Sequence, residues 1–438
     1  MSYILSNIKH QTFKHQTLNI KHQTSNIKHQ TSNIKHQASN IKRMNKLLII
    51  TAFIIGHFAV FAAEKDTTAV DTFRFTTIKE NKITPVKNQA SSGTCWSFSA
   101  VGFFEAELLR LGKPEVDLSE MFVVHHSYSD KAEKFVRMNG TINFAGGGSF
   151  YDVMYAMKNY GIVPETEMSG LNYGEDKHRH GEIDALTDAY VKTLIKNPNK
   201  KLSSAWKTGF DGILDAYLGK RPTEFSVNGK KFTPLTYAQS LGLNMDDYIS
   251  LTSFTHHPFY SKFIIEIPDN WRWEESYNLP LDEFAKVFEN AVDKGYTIAW
   301  GSDVSEKGFT RNGVAVNPEV KKQNLPGSDQ AKWLNITQKE MEEKIFKVQG
   351  PQPEIKVTQE LRQKSFDNYE TTDDHGMVIF GTAKDQNGTK YYLVKNSWGT
   401  DSKYKGIWYA SESFVLHKTI NIVVHKDAVP KEILKKIM

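Results

Sequence analysis

Apolar residues return every three or four positions at Phe98, Val101, Phe104, Leu108 and Leu111. That spacing lines one face of a helix, and Gly112-Lys-Pro114 marks its end. The same period predicts two further helices over Ile183 to Leu194 and Trp206 to Leu218. Near the C-terminus the pattern changes. Two runs rich in β-branched and aromatic residues, His375 to Ala383 and Thr389 to Lys395, flank Lys384-Asp-Gln-Asn-Gly388 and read as an antiparallel hairpin. A five-residue loop there sets Ala383 opposite Thr389 and Gly376 opposite Asn396. Asn396 then lies about one residue from His375 across the ladder.

The first sixty residues follow neither pattern. Residues 1–43 contain a seven-residue repeat, Asn-Ile-Lys-His-Gln-Thr-Ser, clearest from Asn19 to Ser39. Only one position per repeat is apolar (Ile20, Ile27, Ile34), so a coiled coil has no seam and the segment is expected to be disordered. Its histidines, His10, His15, His22, His29 and His36, are scattered too widely for a metal tract. Met44-Asn-Lys then leads into an apolar run from Leu47 to Ala63 that ends on small residues. The run has the anatomy of a secretory signal and falls short of the ~20 apolar residues of a spanning helix, so no permanent membrane anchor is expected. The expected organisation is a leader repeat at 1–43 outside the working protein, a signal peptide at 44–62, and an exported folded part at 63–438.

Composition places that part among globular proteins, with 39 % hydrophobic and 24 % charged residues in a 438-residue chain. The formal charge of +5 comes from the leader. Residues 1–62 hold eight basic side chains and no acidic ones, so 55 minus 8 leaves 47 basic against 50 acidic, a net of −3. The basic balance therefore indicates no nucleic-acid partner. A single cysteine excludes an intramolecular disulfide and every multi-cysteine metal site.

That cysteine, Cys95, stands at the first turn of the Phe98-to-Leu111 helix, after the turn Ser91-Ser-Gly93. Unpaired N–H groups and the helix dipole there favour a thiolate. A small buried hydrophobe is the other reading of a free cysteine, and position alone leaves both open. The surrounding residues decide it. Gln89-Ala-Ser-Ser-Gly-Thr-Cys95-Trp-Ser-Phe-Ser-Ala100 resembles the nucleophile motif of papain-like cysteine peptidases, with Ser92 where the family usually has a disulfide cysteine. His375-Gly-Met-Val and Asn396-Ser-Trp398-Gly resemble the same superfamily's histidine and asparagine motifs, in the same chain order. Gly147-Gly-Ser-Phe-Tyr-Asp-Val-Met154, Phe232-Thr-Pro-Leu-Thr-Tyr237 and the long polar middle are similar to its bleomycin hydrolase, or aminopeptidase C, branch. The similarity spans about Phe73 to Leu434.

The resemblance implies an α+β papain-like fold of two lobes. One is helical and bears Cys95; the other is β-barrel-like and bears His375; a mainly helical insertion lies at about 173–280. It implies that Cys95 attacks a peptide carbonyl, His375 moves the proton, Asn396 orients the ring, and Gln89 donates to the oxyanion. Gly147, Gly148 and Trp398 are implied at the substrate cleft, with no metal or organic cofactor. The branch further implies peptide substrates, aminopeptidase action and a hexameric homo-oligomer. The short tail after Val429-Pro-Lys-Glu is expected to stop before the cleft, which leaves endopeptidase action open. An inactive binding protein of this fold and a thiol acyltransferase are the readings from other classes.

Overall fold

The computed structural model describes residues 72–306, 308–319, 348 and 350–438, which belong to one compact unit. The leader repeat and the signal segment lie outside these residues. Strand β1 (Phe75–Glu80) leads to helices α1 (Cys95–Arg110), α2 (Glu120–Arg137) and α3 (Phe150–Asn159). Helices α4 (Gly181–Ile195) and α5 (Ala205–Leu218), the hairpin β2–β3 (Phe225–Val227, Lys230–Phe232) and α6 (Pro234–Leu241) follow. Then come β4 (Tyr248–Thr252), β5 (Lys262–Ile264), β6 (Glu275–Asn278), α7 (Leu281–Asp293), β7 (Ile298–Ser302) and β8 (Val314–Ala315). The chain ends with α8 (Gln359–Asp367), β9 (His375–Asp385), β10 (Lys390–Lys395), β11 (Ile407–Ser411), α9 (Glu412–Lys418), β12 (Thr419–His425) and α10 (Lys431–Ile437).

The fold is α+β. One large sheet runs in the order β5-β6-β4-β12-β7-β9-β10-β11-β8, with β1 added on β9. Its path ends on β5 and β8, so among the described residues the expected barrel-like lobe is an open sheet. The polar middle divides differently from expectation. Helices α4 to α6 and the β2–β3 hairpin occupy 181–241, but β4, β5 and β6 join the main sheet through β12. These strands are too short to stand out in sequence, and β6, which reads Glu-Ser-Tyr-Asn, lacks alternation altogether.

Helix α1 departs from its expected one-faced pattern. Every residue from Trp96 to Leu108 is buried, because β7 and β9 cover one side and α2 and α3 the other. Burying each large side chain, such as Phe103, Phe104 or Leu108, contributes roughly 1.5–3 kcal/mol. The polar residues on this helix are bonded internally. Glu105 accepts from Thr84 Oγ1 at 2.6 Å and from the Leu118 N–H at 2.9 Å. Lys395 of β10 donates to Thr84 Oγ1 at 2.8 Å, and Lys87 donates to Glu120 at 2.7 Å. The Gln89 loop, α1, α2 and β10 are thereby tied through one polar cluster.

A second buried carboxylate fixes the segment after β5. Asp152, in the first turn of α3, accepts from the Ser149 N–H at 2.8 Å, from Trp271 Nε1 at 3.1 Å and from Arg272 Nε at 2.6 Å. Arg272 also reaches Asp130 of α2 at 2.7 Å. Removing one partner of a buried charge pair strands the other. Asp152→Ala is expected to lower stability by roughly 3–5 kcal/mol, read as a lower midpoint in chemical denaturation; a shift below about 1 kcal/mol would contradict this role.

Candidate active site

Cys95 is the first residue of α1, with Thr94 as N-cap. The Thr94 hydroxyl pairs with Ser92 Oγ at 2.5 Å instead of capping the helix, so no side chain satisfies the first N–H groups. The Trp96 N–H, and the Gly376 N–H from across the cleft, point at the thiol instead. Gly376 has to be small here, since an added Cβ would lie 2.5 Å from Ser99 Oγ. The turn before the helix is held from outside: Ser91 N donates to His178 O at 3.0 Å, and His180 N donates to Ser91 O at 3.2 Å.

His375 opens β9 opposite Ser302 of β7. Its preceding loop is pinned by Asp303, which accepts from the Thr372 N–H at 2.9 Å, and by Asp374, which accepts from the Ser305 N–H at 3.0 Å. The hairpin register differs from the sequence expectation by two residues: Ala383 pairs with Tyr391, not Thr389. Asp385 causes part of this, because its carboxylate takes the N–H groups of Asn387 and Thr389 and tightens the turn. A bulge between Leu393 and Val394 then shifts the ladder back by one. The outcome at the site survives: His375 Nε2 lies 2.8 Å from Asn396 Oδ1.

That contact fixes the tautomer. Asn396 Oδ1 also accepts from the Ser397 N–H at 2.7 Å, so it is the amide oxygen that faces the ring. An oxygen only accepts, so Nε2 carries the proton and Nδ1 is left as the basic nitrogen. Trp398 lies tilted against the imidazole, ring centroids 4.8 Å apart, with Phe309 and Trp408 behind it. It flanks the His375–Asn396 pair and is not part of the cavity wall around Cys95.

Gln89 sits in the loop stitched to the Asn396 segment: its N–H donates to Ser397 O at 2.8 Å. Ser397 Oγ donates to Gln89 Oε1 at 2.5 Å, which holds the side-chain oxygen back and leaves the amide nitrogen free to donate elsewhere. Gly148 lies beneath Trp96, where an added Cβ would fall 2.8 Å from the indole. Gly147 faces Asp269, whose Oδ2 would stand 2.0 Å from such a Cβ. The carbonyls of this glycine run are held by Trp96 Nε1 on Gly146 at 3.0 Å and by the buried Lys131 on Ala145 and Gly147.

Cys95, His375 and Gly148 line one cavity of about 310 Å³. Met438 lines it too, which corrects the expectation that the tail stops before the cleft. Six acidic residues, Asp246, Asp269, Glu274, Glu275, Asp373 and Asp374, face it against the single lysine Lys262. The thiol is pushed up to about 12, by burial first and by Asp373 and Asp269 next, against the N–H groups of Gly376 and Trp96. Burial also takes His375 down to about 4, against Asn396 and Asp374. Neither group therefore ionises alone near neutral pH, unlike the thiolate expected from helix position. Passing the thiol proton to Nδ1 creates both charges together, and each then offsets the other's desolvation.

The segments bearing these residues match known families. Residues 69–214 match the papain family of cysteine proteases, and residues 322–438 match the peptidase C1-like family. The chain carries papain-family cysteine peptidase domains. An aminopeptidase C of Lactococcus lactis subsp. lactis is 23 % identical over 392 residues, covering 80 % of this chain and 82 % of that one. An aminopeptidase G of Lactobacillus delbrueckii subsp. lactis is 21 % identical over 394 residues, covering 79 % and 82 %. The crystal structure of PepW from Lactobacillus rhamnosis has the same fold, with a TM-score of 0.62 at 21 % identity over 83 % of this peptidase and 84 % of that chain.

Among the described residues of the peptidase, His256, His257 and Glu266 have ligand atoms within 4.8 Å of one another. Their hydrogen bonds work against a metal. Gln363 Oε1 accepts from the Thr255 N–H at 2.5 Å, so its amide nitrogen donates to His256 Nδ1 at 3.0 Å. His256 Nε2 must then carry the proton, which it gives to Glu266 at 3.1 Å. No described helix is long and apolar enough to cross a membrane.

Proton transfer from Cys95 to His375, which this geometry allows, has a direct consequence. His375→Ala should leave the thiol held up by its surroundings, so alkylation of Cys95 by iodoacetamide at pH 7 should fall on the order of 100-fold and climb with pH across the alkaline range. A wild-type rate in that variant at pH 7 would remove His375 from the role.

Proposed function

We propose that this peptidase is a cysteine aminopeptidase that hydrolyses peptide bonds after the first residue of its substrates. The observation that supports the chemistry most is the His375–Asn396 contact, which sets the tautomer at the cavity that holds the only thiol. Cys95 gives its proton to His375 Nδ1 and attacks the scissile carbonyl. The oxyanion that forms takes N–H groups from the start of α1 and from the Gln89 amide nitrogen, a contribution commonly worth ~3 kcal/mol. His375 returns the proton to the departing amine, and water then releases the acyl group as the same nitrogen takes its proton. Asn396 keeps the ring oriented, and Trp398 screens that contact on one side. Gly147 and Gly148 give the substrate backbone close approach to the cleft wall.

Exopeptidase action is supported by the shape of the cavity and by the relatives. Asp269 stands over Gly147 and narrows the glycine side of the cleft, and Met438 also lines the cavity. The aminopeptidases C and G matched above align over about four-fifths of their own lengths. Peptides are the substrates this reading names. Resemblance to the bleomycin hydrolase branch supports self-assembly into a hexamer, and the 44–62 segment supports export.

The test pairs a free-amine aminoacyl nitroanilide with its N-acetylated counterpart, using Cys95→Ala as the blank. The free-amine compound should be cleaved at least about tenfold more efficiently, a difference of ~1.4 kcal/mol. Equal cleavage of the two would mark an endopeptidase, and unchanged activity in Cys95→Ala would remove the nucleophile.

A further inference from the structure

An enzyme that acts at a free N-terminus has to recognise an ammonium group close to the scissile bond, and the structure holds an unused pair of carboxylates there. Asp269 occupies the space above Gly147, along the wall where substrate backbone would run beside the nucleophile. Its one hydrogen bond is from Asn143 Nδ2 to Oδ1 at 3.3 Å, and Oδ2 has no partner among the described residues. Asp373, two residues before His375, makes no hydrogen bond or ion pair among the described residues. Both carboxylates line the cavity and act on the Cys95 thiol through their charge.

Both side chains are half-buried at the cavity, and neither forms an ion pair among the described residues. Burial first, and then the charge of Asp269, pushes Asp373 up to about 8. Asp269 is also raised by burial, although Lys131 pulls the other way. Lys131 itself is committed to the carbonyls of Ala145 and Gly147, and forms no ion pair with Asp269. Asp152, the other acid near Asp269, is taken up by Trp271 and Arg272. A partly desolvated acid that is not ion-paired is unfavourable in its charged form, and an incoming cation relieves that.

The segment bearing Asp269 is held in place before substrate arrives. Asn270 Nδ2 donates to Ile265 O at 3.2 Å and to Glu274 O at 2.9 Å, and Trp271 and Arg272 are fixed on Asp152. Little ordering is left for binding to supply.

We propose that Asp269, with Asp373 beside it, receives the α-ammonium group of the substrate's first residue, and that its side chain closes the cleft to anything longer on that side. The proposal rests on the aminopeptidase reading and assigns the residues that impose it. A free amine brings a positive charge to Asp269, favours the ionised form of Asp373 beside it, and ends where the wall stands. An acylated amine brings no charge and extra atoms that meet Asp269.

The test uses the full chain and the nitroanilide pair described above, with Asp269→Asn, Asp269→Ala and the double variant Asp269→Asn/Asp373→Asn. Alkylation of Cys95 by iodoacetamide serves as a check on the nucleophile. Asp269→Asn should lose about ten- to a hundredfold in kcat/KM on the free-amine compound, chiefly through KM, with no loss on the N-acetyl compound or in the alkylation rate, since the removed charge opposed the thiolate. The double variant should erase the remaining preference. Asp269→Ala should raise cleavage of the N-acetyl compound by opening the wall. Retention of the wild-type preference by Asp269→Asn and by the double variant would overturn the assignment while leaving the aminopeptidase reading intact. An equal loss on both substrates would overturn it as well, since the carboxylate would then support the fold and not the amine. A wild-type enzyme without any preference contradicts the aminopeptidase reading and this assignment together.

Discussion

The helix that begins at Cys95 has no solvent face, and that constraint organises the rest of the molecule. Its sides are taken by the sheet and by two other helices, so its first turn is the part that meets the cavity. Unsatisfied N–H groups at that turn point where an anion would form. Burial on all sides also requires every polar residue on the helix to be bonded. Glu105 therefore binds Thr84 and the Leu118 N–H, and Lys87 and Lys395 reach into the same cluster. Through those bonds the helix fixes the loop of Gln89 and the strand that leads to Asn396. Packing and the proposed catalysis are consequently coupled: a loosened helix would shift Cys95, Gln89 and Asn396 together.

The electrostatics of the cleft follow from the same enclosure. Burial opposes the charged forms of both the thiol and the imidazole. A charge pair formed by internal proton transfer avoids carrying either charge alone into a dry site. The Asn396 contact decides which imidazole nitrogen takes the proton, and the N–H groups of Gly376 and Trp96 steady the sulfur. The acidic wall opposite works against a free thiolate, since Asp373 and Asp269 both raise the thiol. A bound ammonium would offset that wall. Substrate binding and nucleophile activation then reinforce one another, because the cation that identifies a correct substrate also removes a penalty on the thiolate.

Much of this was legible in sequence where the signal is local. Cys95 at a helix start, Gln89 six residues earlier, and His375 and Asn396 on the two arms of one hairpin are motif-length features; the chain sets Cys95 and His375 on one cavity, bonds Asn396 to His375 and ties Gln89 to Ser397. The hairpin register was not legible to the residue, because the Asp385 side chain tightens the turn and a bulge at Leu393–Val394 adjusts the ladder. The shift left the His375–Asn396 contact intact, since a side-chain contact tolerates a small change of register. Strands β4 to β6 were missed because they are only three to five residues long, and β5 and β6 carry too few apolar positions to show alternation. Asp152, Asp269 and Asp373 were missed for a different reason. Each is a single acid in a polar stretch, and its role depends on partners or neighbours more than a hundred residues away.

The account's central claim is that the one thiol in the chain becomes the acyl carrier when His375 takes its proton. Intact-mass spectrometry during turnover of a slowly hydrolysed free-amine aminoacyl ester tests it most directly, with peptide mapping to place the adduct. The account predicts one transient acyl group on the peptide containing Cys95, and none in Cys95→Ala. An acyl group on any other residue, or steady turnover with no adduct at Cys95 when hydrolysis is made rate-limiting, would contradict it.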